Sequence, residues 1–377
     1  MPRPAIPSCF YRRTESAMQT RPRNRVMALA LVAGVLCSCQ PTEPPTRIIL
    51  LLADGAGLAH WTLAAFADDD LPVARMTTVG LVDTRGSDHT VSGSAPTATA
   101  YATGVRSFMG AVGVGPDSMP VESVVEVAME RGMATGLLTT TMLVDATPAA
   151  FGSHAVARGE FAEIARQMSR KGMTVLMGGG RSAFGPAIQP DSSELFSEIR
   201  ERSTYVETVD ALSGLETDTV TSLVGLFAEG GMGAVARRGT ALQTMTSVAL
   251  AILDRNPNGF FLMVENEESD TEAHRNADEA TITAEMLDFS AAVGVALAYQ
   301  EEHPETLVIV TGDHETGGMS LPHDADREIV MQYASGGHTG VLVPLFASGP
   351  GAERFGGIIR NDRVGQLLLE IAGGGGP

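Results

Sequence analysis

The chain has 377 residues, of which 44% are hydrophobic and 19% are charged, and its formal net charge is −19. This composition is too apolar for a disordered chain and is sufficient for one large globular domain. The excess of negative charge argues against a surface that binds the phosphates of nucleic acids.

The first 38 residues are predicted to be an export signal. Three arginines within residues 21–25 precede an uncharged apolar run over residues 26–36, and small residues follow it. The run is too short to span a bilayer as a helix, which favours a cleaved signal. The tripeptide before Cys39 resembles a bacterial lipobox. This resemblance implies a periplasmic protein that is anchored to the membrane by a lipid on Cys39; the alternative is an ordinary signal peptide with incidental cysteines.

The cysteines place further limits on the exported domain. All three, Cys9, Cys37 and Cys39, lie at or before the predicted cleavage site. The exported domain therefore has no internal disulfide and no cysteine nucleophile. Removal of residues 1–38, which contain six arginines and one glutamate, changes the formal charge from −19 to −24. Residues 39–46 are proline-rich and are predicted to be an extended tether.

The folded part is predicted to begin at Arg47 and to be an α/β domain over residues 47–377. Strand-length apolar runs occur at residues 48–53, 134–138, 174–177, 260–264, 307–310 and 341–346. Amphipathic segments of helix length occur at residues 121–131, 161–171, 241–253 and 277–299. This alternation predicts a mainly parallel central sheet with helices on both faces. Residues 181–238 are less regular and are predicted to be a small helical insertion or cap.

Acidic residues follow three of the predicted strands. Asp54 follows the first strand, Glu265 follows the run at residues 260–264, and Asp313 with His314 follows the run at residues 307–310. Active sites of such sheets lie at the carboxyl ends of the strands. One carboxylate there would more often be a turn or helix cap. Three carboxylates with histidines nearby predict a metal cluster.

Two further pieces of sequence supply imidazole and carboxylate groups. Asp270 and His274 are four residues apart, so they share one face of a helix and can bind one cation together. His338 precedes the last apolar run. Oxygen and imidazole ligands without thiolate are typical of an open, catalytic zinc site.

The segment from Ser92 to Ala100 predicts a helix start at Ser94. Pro96 suits the first turn of a helix, and small residues follow it. A hydroxyl at the N-cap faces free backbone N–H groups and the positive end of the helix dipole, where a phosphoryl group is stabilised. The alternative is a helix cap without chemistry. Since no Ser-His-Asp spacing is evident, a bound metal is the favoured means of activating Ser94.

From Arg47 to its C-terminal helix, the chain resembles the alkaline phosphatases. The motifs that carry the resemblance are Asp54-Gly55 and residues 94–104, 145–150, 265–274, 311–318 and 338–340. The resemblance implies hydrolysis of small-molecule phosphate monoesters through a phosphoserine at Ser94.

The resemblance also implies two zinc ions and one magnesium ion. The first zinc would be bound by Asp270, His274 and His338. The second zinc, beside Ser94, would be bound by Asp54, Asp313 and His314. The magnesium would be bound by Asp54, Thr147 and Glu265, with Asp145 behind these ligands. Arg158 matches the arginine that binds phosphate, and its planar guanidinium suits two phosphate oxygens.

Two departures from the family pattern bear on phosphate binding. Gly93 stands where many relatives have an aspartate that holds the arginine, and Thr271 stands where others have lysine or histidine. Two alternatives stay open: a phosphodiesterase of the same superfamily, and a metal- or phosphate-binding lipoprotein without activity. The oligomeric state, a homodimer included, also stays open.

Overall fold

The computed structural model describes residues 46–186, 188 and 192–375. The strands are β1 (Arg47–Ala53), β2 (Thr78–Asp83), β3 (Ala134–Met142), β4 (Val175–Gly179), β5 (Thr204–Val206), β6 (Leu223–Leu226), β7 (Phe260–Asn266), β8 (Thr306–Thr311), β9 (Glu315–Thr316), β10 (His338–Thr339), β11 (Val343–Ser348) and β12 (Gly357–Arg360). The predicted export signal, residues 1–38, and the predicted tether apart from Thr46 lie outside the described residues and stay predictions.

Helices connect most of these strands. They are α1 (Leu58–Ala67), α2 (Ser94–Thr103), α3 (Val124–Glu130), α4 (Ala146–Gly152), α5 (Phe161–Lys171), α6 (Arg181–Phe184), α7 (Ser192–Arg202), α8 (Val209–Ser213), α9 (Val235–Arg238), α10 (Ala241–Leu253), α11 (Glu268–His274), α12 (Glu279–Glu302) and α13 (Asn361–Ala372).

Ten strands form one sheet in the order β12-β2-β11-β8-β1-β7-β3-β4-β6-β5. Neighbouring strands are parallel except that β11 is antiparallel to both β2 and β8. β1 lies inside the sheet, and its side chains alternate between two apolar cores: Leu50 faces one core and Leu51 faces the other. A strand that is buried on both faces has to be apolar throughout, which explains the uninterrupted run in the sequence. The predicted α/β class with a mainly parallel sheet is confirmed.

The segment 181–238 differs from the prediction of a helical insertion. It contains helices, but it also contributes β5 and β6, which pair in parallel and extend the sheet beyond β4. Strands of three and four residues are too short to show a period in the sequence.

Among the described residues the longest helix is α12, which has 24 residues and is apolar enough to cross a membrane by length and composition. Its burial identifies it as a core helix, because 56% of its most apolar window lies inside the fold. Glu285 and Asp288, which are buried, lie on the same helix.

The register of the central strands brings the predicted acidic residues together. Leu52 of β1 pairs with Glu265 of β7 on one side and with Thr311 of β8 on the other. Glu265 also pairs with Thr139 of β3. The residues that follow these strands therefore lie along one edge of the sheet, as expected for an α/β active site.

Candidate metal centre and active site

The first cluster joins the ends of β1 and β8. His314 Nε2 lies 3.2 Å from Asp313 Oδ2 and 3.4 Å from Asp54 Oδ1. Ligand atoms of all three residues lie within 4.8 Å of one another, and all three residues are buried. Asp313 Oδ1 accepts hydrogen bonds from the backbone N–H groups of Gly55 at 3.0 Å and His314 at 2.9 Å. The other carboxylate oxygen is left facing the imidazole.

One oxygen of each carboxylate in this cluster lacks a hydrogen-bond donor among the described residues. Asp54 Oδ1 and Asp313 Oδ2 are buried and have no hydrogen-bond partner within the described part of the chain. Burial raises the pKa of Asp54 well above its ordinary value, and the nearby carboxylates of Asp313, Asp270 and Glu265 act in the same direction. Buried carboxylates without donors are costly unless a cation binds them. The arrangement therefore fits a divalent metal ion.

The second cluster contains Asp270 and His274 of α11 together with His338 of β10. His274 Nε2 lies 3.2 Å from Asp270 Oδ2 and 3.0 Å from His338 Nε2, while His338 Nε2 lies 3.8 Å from Asp270 Oδ1. Ligand atoms about 2.0–2.1 Å from a tetrahedral zinc lie roughly 3.3–3.4 Å from one another. The spacing of these three groups is therefore close to that of a zinc site.

Backbone carbonyls fix the orientation of both histidine rings. His274 Nδ1 lies 2.8 Å from the Gly336 carbonyl oxygen, and His338 Nδ1 lies 2.8 Å from the Ser92 carbonyl oxygen. A carbonyl only accepts, so each Nδ1 carries a proton, and Nε2 is the ring nitrogen that remains for a metal ion. This is the usual arrangement of histidines that bind metals.

His314 lies between the two clusters. Its ring stacks on His338 with 3.6 Å between the ring centroids, and it groups with Asp270 and His338 as well as with Asp54 and Asp313. Ser94 Oγ lies 3.4 Å from His314 Nε2. The structure thus brings the predicted nucleophile to the junction of the two predicted zinc sites.

Ser94 is the first residue of α2, and the N-cap position belongs to Gly93. The sequence-based prediction of Ser94 as the N-cap is therefore wrong by one residue. The difference leaves the serine in the first turn of a ten-residue helix, where backbone N–H groups are free to bind an anion.

The residues predicted to bind magnesium come from three neighbouring segments. Glu265 is 1% exposed and accepts a hydrogen bond from Thr139 Oγ1 at 2.5 Å. Burial raises the pKa of Glu265 to about 8. Thr147, in the first turn of α4, has a buried hydroxyl beside the Glu265 carboxylate. A buried carboxylate beside a buried hydroxyl, with Asp54 nearby, offers the oxygen ligands that magnesium prefers.

Arg158 is held by Asp145. Arg158 Nη2 donates to Asp145 Oδ1 at 2.5 Å, and the same carboxylate oxygen accepts from the Ala146 backbone N–H at 2.7 Å. Asp145 therefore orients the guanidinium. Gly93, at the position where many relatives have an aspartate for this purpose, has no side chain that could do so. Sequence reasoning placed Asp145 behind the magnesium ligands and did not predict this contact.

Most of these groups face one cavity of about 230 Å³, whose lining does not include Asp313 or His314. Its walls include Ser94, Arg158, Asp54, Thr147, Glu265, Asp145, Asp270, His274 and His338. Ala146 and Glu267 also line the cavity and were not predicted as site residues. Thr271, one of the two departures from the family pattern, lines it too, and its hydroxyl donates to Glu267 Oε1 at 2.6 Å. Thr316 was also missed as a site residue, although its hydroxyl donates to Asp270 Oδ1. Its position in the run of polar residues that follows Asp313-His314 was the sequence feature that could have identified Thr316 as a site residue.

Comparison with known proteins decides the family. The family model for alkaline phosphatases matches residues 46–329. The chain belongs to the alkaline phosphatase family. Its relatives of this name are phosphomonoesterases, and the chain is an enzyme of the same class.

Several relatives in this family cover most of the chain. The repressible alkaline phosphatase of Saccharomyces cerevisiae is 34% identical over 76% of this chain and 57% of the relative. The streptomycin-6-phosphate phosphatase of Streptomyces griseus is 32% identical over 89% of this chain and 92% of the relative. The alkaline phosphatase structure from the Antarctic bacterium TAB5 has a TM-score of 0.80 and 31% identity, over 88% of this chain and 99% of that one. A variant of the TAB5 enzyme was solved with magnesium bound in its M3 site.

Gly55 lies against both clusters, since its N–H donates to Asp313 Oδ1 and its Cα faces Asp270. Its φ is +69°, and a Cβ at this position would lie 2.7 Å from Asp270 Oδ1. We expect Gly55→Ala to displace Asp270 and to lower the bound metal per chain, measured by elemental mass spectrometry. Gly351→Ala is the matched control, because its φ is +79° and nothing lies within 4 Å of the added carbon. Equal metal content in the two variants would contradict this role of Gly55.

Proposed function

We propose that this chain hydrolyses phosphate monoesters through a phosphoserine intermediate at Ser94, with two zinc ions and one magnesium ion bound beside it. The observation that carries the proposal is the position of Ser94 Oγ, 3.4 Å from His314 Nε2 and in the same cavity as Arg158. A nucleophile, a phosphate-binding cation and groups for metal ions thereby face one small space.

The residues present fit the proposed ions. Asp270, His274 and His338 would hold one zinc, while Asp54, Asp313 and His314 would hold the other. Asp54, Thr147 and Glu265 would hold the magnesium, and magnesium bound in the M3 site of the TAB5 variant supports a third ion in this family. When bound, such ions lower the pKa of a hydroxyl or a water and neutralise charge on phosphoryl and leaving-group oxygens.

The remaining steps follow from the positions of the protein groups. Arg158 would bind two non-bridging oxygens of the phosphoryl group, and the first turn of α2 would present backbone N–H groups to it. Ser94 Oγ would form a bond to phosphorus as the bond to the leaving alcohol breaks. Water would then attack the phosphoserine, releasing inorganic phosphate and restoring the hydroxyl. Each displacement inverts the configuration at phosphorus, so the overall reaction retains it.

The monoester is favoured over the alternatives by the third set of ligands. A monoester has one more anionic oxygen than a diester, so a magnesium ion beside the phosphoryl group stabilises its transition state more. Thr147 and Glu265 supply such a site on the wall that Arg158 shares. A protein that only bound phosphate or metal would have no need of a hydroxyl at Ser94.

Removal of the metal ions tests the proposal at its simplest. We expect the purified protein to release phosphate from an aryl phosphate, to lose this activity after chelation, and to regain it with zinc and magnesium together. Calcium added alone is the control, because its preference for larger oxygen cages does not suit these histidines. Full activity in protein freed of metal would contradict the proposal.

Ser94→Ala tests the covalent intermediate. We expect turnover of the aryl phosphate to fall on the order of 10³-fold or more, because the variant lacks the attacking oxygen. Zinc and magnesium content should stay near that of the wild type, since the proposed metal ligands are retained. The matched control is Ser213→Ala, which removes an exposed hydroxyl that donates to Val209 O within its own helix. Near wild-type turnover in Ser94→Ala would show that Ser94 is not the nucleophile.

Asp145→Asn tests the anchoring of the phosphate-binding arginine. We expect weaker inhibition by inorganic phosphate, by about 1.5–3 kcal/mol, because Arg158 loses its charged hydrogen-bond partner. Asp83→Asn serves as the control, since Asp83 also binds arginines but does so away from the cavity. An unchanged inhibition constant in Asp145→Asn would show that Arg158 is oriented by other contacts.

A further inference from the structure

A buried group of charges lies outside the cavity. Arg238, the last residue of α9, has a side chain that is 1% exposed, and its Nη2 donates to Glu285 Oε2 and to Asp288 Oδ2, each at 2.7 Å. These carboxylates lie three residues apart on α12 and are 0% and 3% exposed. Desolvation makes such a group costly, and apolar residues of similar volume are often at least as stable. A gain in stability is therefore a weak reason for its presence.

Asn266 connects this group of charges to the cavity wall. Its Oδ1 accepts from Arg238 Nη2 at 3.4 Å and from the Glu268 backbone N–H at 3.1 Å. Its Nδ2 donates to the main-chain oxygen of Glu285 at 3.0 Å. The backbone N–H only donates and the carbonyl only accepts, so the orientation of the amide is fixed. The side chain is fully buried, so water cannot replace these partners.

Asn266 also touches the segments that carry the proposed metal ligands. It directly follows Glu265 on β7, and its main-chain oxygen accepts from the Asp54 N–H at 2.9 Å. Glu268, whose N–H binds the Asn266 side chain, is the first residue of α11, the helix that carries two proposed zinc ligands. Thr140 of β3 adds a hydrogen bond to the same Oδ1 at 3.3 Å and accepts one from the Glu267 N–H at 2.9 Å.

We infer that Asn266 is a positioning residue for metal binding, held in place by Arg238, Glu285 and Asp288. The inference rests on the proposed function, because it takes Glu265 as a magnesium ligand. Asn266 acts through its neighbours: it fixes the direction in which β7 ends, and with it the distance from Glu265 to α11. Magnesium demands near-ideal octahedral geometry, so a small displacement of Glu265 is expected to cost affinity. Arg238, from the segment 181–238, thus supports the metal centre indirectly, through its contact with Asn266.

Magnesium binding to the zinc-loaded full chain, measured by equilibrium dialysis without substrate, tests the inference. For Asn266→Ala we expect the magnesium dissociation constant to rise about 10–100-fold, the range found when groups that orient metal ligands are removed. With magnesium restored to saturation, KM for an aryl phosphate should stay near the wild-type value, because Arg158 and Ser94 are untouched. Arg238→Lys keeps the charge but loses the planar fork, so a smaller rise in the same constant is expected.

Asp254→Asn is the matched control. Asp254 accepts hydrogen bonds from Arg47 Nε at 3.1 Å and from the Tyr299 hydroxyl at 2.5 Å, at the opposite ends of β1 and α12. This variant should lower the melting temperature without changing the magnesium dissociation constant.

The outcomes separate the inference from the function on which it rests. The inference is overturned if Asn266→Ala and Arg238→Lys both bind magnesium like the wild type, or if Asp254→Asn weakens binding equally. If Asn266→Ala does not fold, the result for Arg238→Lys decides. A wild-type chain that binds zinc but no magnesium would instead overturn the proposed magnesium site.

Discussion

The burial of several carboxylates at one edge of the central sheet is the constraint on which the rest of the site depends. Parallel strands end side by side, so the acidic residues at the carboxyl ends of β1, β7 and β8 are forced into one buried region. Asp54 is the clearest case, because burial and four neighbouring carboxylates all raise its pKa. Left to themselves, these groups would oppose folding at neutral pH. Bound cations would turn the same repulsion into attraction, which links folding of this edge to metal binding.

The contacts around the site hold this charge in a fixed shape. Gly55 lets the chain turn close to Asp270, where a side chain would clash. Asp313 directs one oxygen to backbone donors and leaves the other free. Asp145 orients Arg158 in the absence of a carboxylate at position 93. The cavity is therefore shaped by groups that have their own partners, and a phosphate group meets a prearranged surface.

Much of this organisation could be predicted from the sequence, because it depends on local order along the chain. Two patterns could be recognised within a few residues: the apolar run of β1 that Asp54 follows, and the four-residue spacing of Asp270 and His274. The strands β5 and β6 could not be predicted, since they are shorter than one recognisable period. The pairing of Arg158 with Asp145 and the contacts of Asn266 join residues whose proximity is set by loops and by sheet order. No spacing in the sequence encodes them.

The carbonyl partners of His274 and His338 have a consequence for how tightly this site can hold an ion. A free imidazole must choose one ring orientation and one tautomer when it binds a metal, and that loss of freedom subtracts from affinity. In this chain the Gly336 and Ser92 carbonyls orient the two rings and keep a proton on each Nδ1 before an ion binds. The entropy cost of ordering these rings is therefore part of the free energy of folding. It does not have to be subtracted again from the free energy of metal binding.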